Sequence, residues 1–160
     1  SVDLPGREIV FGDGFPTKSG RGKLVPTTLT PPDEVPDQAY PLVLTTGRML
    51  EHWHTGAITR RAPVLDALEP EPVASFNPGQ LGALGVNPGE RVKVESRRGM
   101  IELKARADSD VPEGMVFIPF CFNEAAANML TNPQLDPYGK IPEFKFCAVK
   151  VEKAEPQAAE

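Results

Sequence analysis

The sequence predicts a mainly β domain: a closed barrel of about six or seven short strands with short helical insertions. Three features lead there. Residues 91–119 read as three successive strands, separated by tight turns, and the first two alternate apolar and charged side chains. The other apolar runs, PLVL, PVASF and FKFCAVKV, are strand-length and scattered along the chain. No regular βαβ alternation occurs, which argues against a doubly wound α/β sheet.

Residues 1–39 are rich in proline and polar side chains and read as an extended arm or linker, one that needs another surface to lie on. The folded part is expected over residues 40–152. PLVLTTGR is a buried strand running into a polar turn, and a short helix follows near residues 63–68. PVASFNP is a short strand. NPGQLGALGV reads as a helix, with Asn77 as N-cap, Pro78 at the first helical position and Gly85 as the stop. RVKVES, a turn at RRGM, and MIELKARA form a hairpin, with Ile101, Leu103, Ala105 and Ala107 on one face. After a turn at PEG comes the strand MVFIPF. NEAAANMLT is a run of good helix formers, DPYGKIPEF a loop, and FKFCAVKVE the final strand. Residues 153–160 read as a polar tail.

The chain has 160 residues, enough for one domain plus tails, and 40% are apolar. Its net charge of −5 and pI near 5.1 argue against a partner recognised through nucleic-acid phosphates. Basic side chains gathered at one place can still bind a small anion. Cys121 and Cys147 sit in apolar stretches and read as buried free thiols of a reducing compartment; no CxxC suggests zinc or an iron–sulfur cluster. The opening SVDLPGREIV has no leader-like apolar run, and nothing approaches a membrane span, so a cytoplasmic location is expected. A chain opening on Ser reads as a piece of something longer.

LTTGRMLEHWHTGAITRR holds the densest chemistry. Hydroxyls at Thr45, Thr46 and Thr55, the Arg48 guanidinium and backbone N–H groups suit an anion, and Gly47 lets a phosphate approach the backbone. His52 and His54 add ring nitrogens, and Arg60 and Arg61 add charge. His-x-His on a strand is a fair metal pair, but no further ligands complete a site, and no Ser stands in a nucleophile-elbow setting. Trp53 reads as a packing residue. Asn128 is either a helix-associated amide facing solvent or a partner for a purine or pterin edge. Lys145, between Phe144 and Phe146, either snorkels to water or meets a ligand charge. The residues alone point to an anion or nucleotide site.

Together these segments resemble the dinucleotide-binding domain that ends the large subunits of the dimethyl-sulfoxide-reductase superfamily. YPLVLTTGRMLEHWHTGAITRR is similar to its opening. NPGQLGALGVNPGERVKVESRRGMIELKARADSDVPEGMVFIPF is similar to its middle, and AANMLTNPQLDPYGKIPEFKFCAVKVE to its end. LEHWHTG with PEFKFCAVKVE most resembles the soluble NAD-dependent formate dehydrogenases. The resemblance implies a six-stranded double-psi β-barrel and a cofactor of two molybdopterin guanine dinucleotides around Mo or W. The matching cofactor-binding positions are Thr46, Gly47, Arg48, Leu50, His52, His54, Thr55, Asn128, Phe144 and Lys145. It also implies formate oxidation to CO2, with electrons passing through iron–sulfur clusters to NAD. The catalytic residues, the metal ligand and the clusters lie in other domains of the same large subunit, further subunits are expected, and this chain alone is inactive. The alternatives are the same domain of an assimilatory nitrate reductase, or a free-standing β-barrel binding module.

Overall fold

The computed structural model describes Gly6 and residues 9–155; residues 1–5, 7 and 8 of the expected arm and 156–160 of the expected tail lie outside the described residues. The chain divides into two compact units, Ser1–Pro31 and Pro32–Glu160. The described part of the first contains turns but no helix or strand, and Phe11 and Phe15 stack there with ring centroids 5.2 Å apart.

The second unit holds six strands: β1 (Leu42–Gly47), β2 (Val73–Phe76), β3 (Arg91–Glu95), β4 (Met100–Ala107), β5 (Met115–Pro119) and β6 (Cys147–Lys153). Helices α1 (Pro63–Leu68) and α2 (Pro78–Leu84) interrupt them, with 3-10 turns at Thr59–Arg61 and Ala127–Met129. The strands close into a barrel in the order β1-β5-β2-β4-β3-β6, which leaves no open sheet edge. β1 is parallel to β5 and β2 to β4, while the other neighbouring pairs are antiparallel.

This circle has an internal symmetry. Advancing every strand by half the set exchanges β1–β3 with β4–β6 and reproduces both the neighbours and their directions. β5 lies between β1 and β2, which run antiparallel to each other, and β2 lies between β4 and β5 in the same way. Each arrangement is a psi motif, and the two interlock. The fold is therefore the six-stranded double-psi barrel.

Alternation builds the interior. Leu42, Leu44 and Thr46 of β1, Val92 and Val94 of β3, Ile101, Leu103 and Ala105 of β4, and Val116 and Ile118 of β5 all point inward and are buried. Ala107, expected on the same face of β4, is exposed because it ends the strand where the chain leaves the wall. All four residues of β2 are buried. α2 starts as its sequence suggests: the Asn77 side chain accepts from the Gly79 N–H at 2.9 Å, Pro78 opens the helix, and Gly85 ends it at φ 64°. Cys121 and Cys147 are free and buried, and burial pushes both thiols up to about 11.

The helix expected from NEAAANMLT is only the 3-10 turn Ala127–Met129. Packing overrides propensity here. Ala125 and Ala127 are both buried, a spacing of two that a helix cannot place on one face, and the Glu124 carboxylate is held by Arg60 at 2.7 Å.

Candidate functional site

Strand direction brings the chemistry to one end of the barrel. Because β1 and β5 are parallel, their C-terminal ends lie side by side, with Gly47 opposite Pro119. β6 is antiparallel to β1, so its entry lies at that same end, with Cys147 opposite Leu44. Three segments therefore meet: the loop leaving β1, the loop leaving β5 and the residues just before β6. The Phe120 N–H donates to the Gly47 carbonyl at 3.1 Å, joining the first two. Thr46 joins the first and third: its buried hydroxyl donates to the Phe144 carbonyl at 2.7 Å, and its own carbonyl accepts from Lys145 Nζ at 2.8 Å.

Between these segments lies a cavity of about 370 Å³, lined by Arg48, His54, Thr55, Phe120, Asn128, Phe144 and Lys145. His54 adopts φ 51°, an uncommon conformation for a non-glycine residue, and its ring packs edge-on against Phe120 with centroids 5.4 Å apart. Phe120 and Phe144 offer aromatic surface. Asn128 offers both a donor and an acceptor, and Lys145 keeps two ammonium hydrogens beyond the one given to Thr46.

The charge distribution singles out this end. From Pro32 onward the described residues include nine cations paired with carboxylates: Arg60, Arg91, Lys93, Arg97, Arg98, Lys104, Arg106, Lys150 and Lys153. The cations without a carboxylate partner there are Arg48, Arg61, Lys140 and Lys145. Arg48 and Lys145 line the cavity, and Arg61 lines an adjoining one of about 290 Å³ that shares Thr55. Three of these four uncompensated cations, all but Lys140, thus gather around this end of an acidic domain, where they attract an anion.

Six of the ten positions singled out in the sequence line the cavity together: Arg48, His54, Thr55, Asn128, Phe144 and Lys145. Thr46 and Gly47 sit behind it. Leu50 lies outside the lining and is 95% exposed. His52 is buried, with Nε2 2.8 Å from the Glu69 carbonyl and its ring edge-on to Phe122, so the two histidines do not form a metal pair. Among the described residues no group of three or more metal-ligating side chains occurs. Trp53, expected to pack, is 73% exposed. Phe120 escaped the sequence reading, because only the β1–β5 pairing brings it beside Gly47.

Gly47 has a packing reason. A Cβ added there would lie 2.4 Å from the Phe117 ring. Gly47→Ala is expected to displace that ring and cost about 1–3 kcal/mol, read as a lower urea midpoint. An unchanged midpoint would mean that Phe117 moves aside freely.

A double-psi barrel with unpaired cations, aromatic rings and an amide around one opening has the chemistry to hold an anionic, ring-bearing ligand. The chain belongs to the Molydopterin dinucleotide binding domain family, whose model matches residues 42–148. It is 47% identical over 148 residues to the F420-dependent formate dehydrogenase subunit alpha of Methanocaldococcus jannaschii, covering 92% of this chain and 22% of that protein. It is 41% identical over 149 residues to the F420-dependent formate dehydrogenase 1 subunit alpha of Methanococcus maripaludis, covering 93% of this chain and 22% of the relative. The chain thus spans about a fifth of the length of these relatives. Among solved structures it is similar to acetylene hydratase from Pelobacter acetylenicus, with a TM-score of 0.65 and 25% identity over 72% of this chain and 18% of that one. No helix among the described residues is long and apolar enough to cross a membrane.

Proposed function

We propose that this domain holds a molybdopterin guanine dinucleotide at the cationic end of its barrel, within the alpha subunit of a formate dehydrogenase. The observation that carries the reading is the gathering of uncompensated cations, Arg48 and Lys145, with Phe120, Phe144, His54 and Asn128 in one cavity. Those residue types fit the group. Guanidinium and ammonium groups suit its phosphates, rings suit its pterin and base faces, and an amide suits their polar edges. In this reading Arg48, His54, Thr55, Asn128, Phe144 and Lys145 contact the cofactor. Thr46, Gly47 and His52 support them from behind, and Leu50 is an exposed apolar neighbour.

The bound group, with its Mo or W, supplies the two-electron chemistry that takes formate to CO2 and a proton. This chain's part is to bind and orient it. The metal ligand and the iron–sulfur clusters belong to other domains of the subunit, and further subunits complete the enzyme. The relatives' F420 replaces NAD as the electron acceptor, and their formate chemistry is preferred to nitrate reduction. The described residues before Pro32 belong to an arm lying on those other domains, and the enzyme works in the cytoplasm.

The test is the full subunit purified without denaturant. It is expected to carry pterin and Mo or W and, together with its further subunits, to reduce F420 with formate, whereas the 160-residue chain alone does neither. A full subunit free of pterin, or one that reduces nitrate and leaves formate untouched, would overturn the reading.

A further inference from the structure

Behind the cavity lies a group of residues that do not line it. Phe122, buried in the loop after β5, is approached by two side chains from the loop after β1. His52 meets the ring edge-on at 5.7 Å and 85°, and the Arg60 guanidinium lies 4.7 Å from the ring centroid.

Both side chains also grip the exit of α1. His52 Nε2 lies 2.8 Å from the Glu69 carbonyl, and Arg60 Nη2 donates to the Pro70 carbonyl at 3.3 Å. Arg60 Nη1 donates to both Glu124 oxygens at 2.7 Å, and its Nε donates to Asp66 at 3.2 Å. The Arg60 charge is thus already matched by two carboxylates, unlike that of Arg48 or Arg61, so it is poorly suited to hold an anion. The loop seals against the same place at Gly56, where a Cβ would lie 2.6 Å from the Cys121 carbonyl and 2.9 Å from Arg60 Cγ.

We propose that Arg60 and His52 are positioning residues, which clamp Phe122 and thereby set the distance between the two loops that wall the cavity. One loop carries Arg48, His54 and Thr55; the other carries Phe120. The role rests on the cofactor reading of that cavity. It requires groups that bind in several directions at once. Arg60 uses all three guanidinium nitrogens and its planar face, which a lysine cannot reproduce. The Glu69 carbonyl only accepts, so Nε2 of His52 carries the hydrogen. Nδ1 is buried with no partner among the described residues. An Nε2-protonated tautomer in nitrogen-15 spectra is therefore the expected signature of His52.

Residue-resolved hydrogen exchange on this chain, and pterin content of the full subunit, test the clamp. Arg60→Lys is expected to speed exchange by about tenfold across residues 53–62 while β1–β6 exchange as in the wild type. Glu124→Gln, a milder change at an exposed side chain, is expected to do the same by about threefold. In the full subunit both variants are expected to lose pterin during dialysis that the wild type withstands. Wild-type exchange at residues 53–62 in both variants would overturn the proposal. So would loosening of loop and strands together, the mark of a merely stabilising contact, or full pterin retention despite a loosened loop. A wild-type subunit without pterin would sink the cofactor reading, and the exchange pattern would still decide whether the clamp holds the loops.

Discussion

In the full subunit, Arg48→Ala is expected to weaken cofactor retention by about 1.5–3 kcal/mol, the loss of one charged hydrogen bond, or about 10- to 150-fold in affinity. The structure separates this effect from stability. Arg48 is exposed, lines the cavity and has no carboxylate partner, so nothing in the barrel depends on it. The alanine variant should therefore unfold within about 0.5 kcal/mol of the wild type. Arg48→Lys keeps the charge but loses the planar fork, and its retention should fall between the two. Lys145→Met is expected to reduce retention too, with some loss of stability, because Lys145 also donates to the Thr46 carbonyl. Pterin and metal per purified subunit after prolonged dialysis give the result. Full occupancy in Arg48→Ala would remove Arg48 from the site.

Why Arg48 was legible in the sequence while its neighbour Phe120 was not is a matter of distance along the chain. Local signals carry local structure. Alternation placed Ile101, Leu103 and Ala105 on the buried face of β4, and Asn77, Pro78 and Gly85 delimited α2. A strand ending in Thr-Thr-Gly-Arg puts Arg48 at a barrel end by strand geometry alone. Phe120 joins the cavity only because β1 pairs with β5 across some seventy residues of intervening chain, which no local pattern records. The circular strand order is non-local in the same way, and only the family resemblance anticipated its psi crossings. The helix expected from NEAAANMLT failed because burial of Ala125 and Ala127 and the pull of Arg60 on Glu124 outweigh weak propensities. Arg60 and Arg61 look alike in sequence. Only the placement of Asp66 and Glu124 shows that one is spent on structure and the other is left unpaired.

Glu34 carries the other large expected effect, this time on stability. Its side chain is only 12% exposed. It accepts from Arg98 through both oxygens at 2.9 and 2.8 Å, from Arg97, and from the Ala148 N–H of β6 at 3.2 Å. Arg98 also donates to the Leu130 carbonyl at 2.7 Å, so one carboxylate ties together the β3–β4 turn, the segment around Leu130 and the start of β6. Burial works to raise the Glu34 pKa, but the bonds from Arg98, Arg97 and Ala148 outweigh it and hold the carboxyl below its usual range. The sign follows from linkage. A carboxyl whose folded pKa is depressed contributes stability above its unfolded value, near 4.5, and loses it as pH falls through the folded value. Glu34→Gln keeps the shape but leaves Arg98 without its anion, and is expected to cost about 2–3 kcal/mol at pH 7. Urea midpoints measured from pH 7 to pH 3 should show the gap between wild type and Glu34→Gln closing as pH drops below about 4.5, where Glu34 begins to protonate. The other depressed carboxyls, Asp37, Glu90, Asp136 and Glu152, are present in both proteins and largely cancel in that difference. Equal midpoints at pH 7, or a gap that stays constant down to pH 3, would show that the Glu34 charge does not hold these segments together.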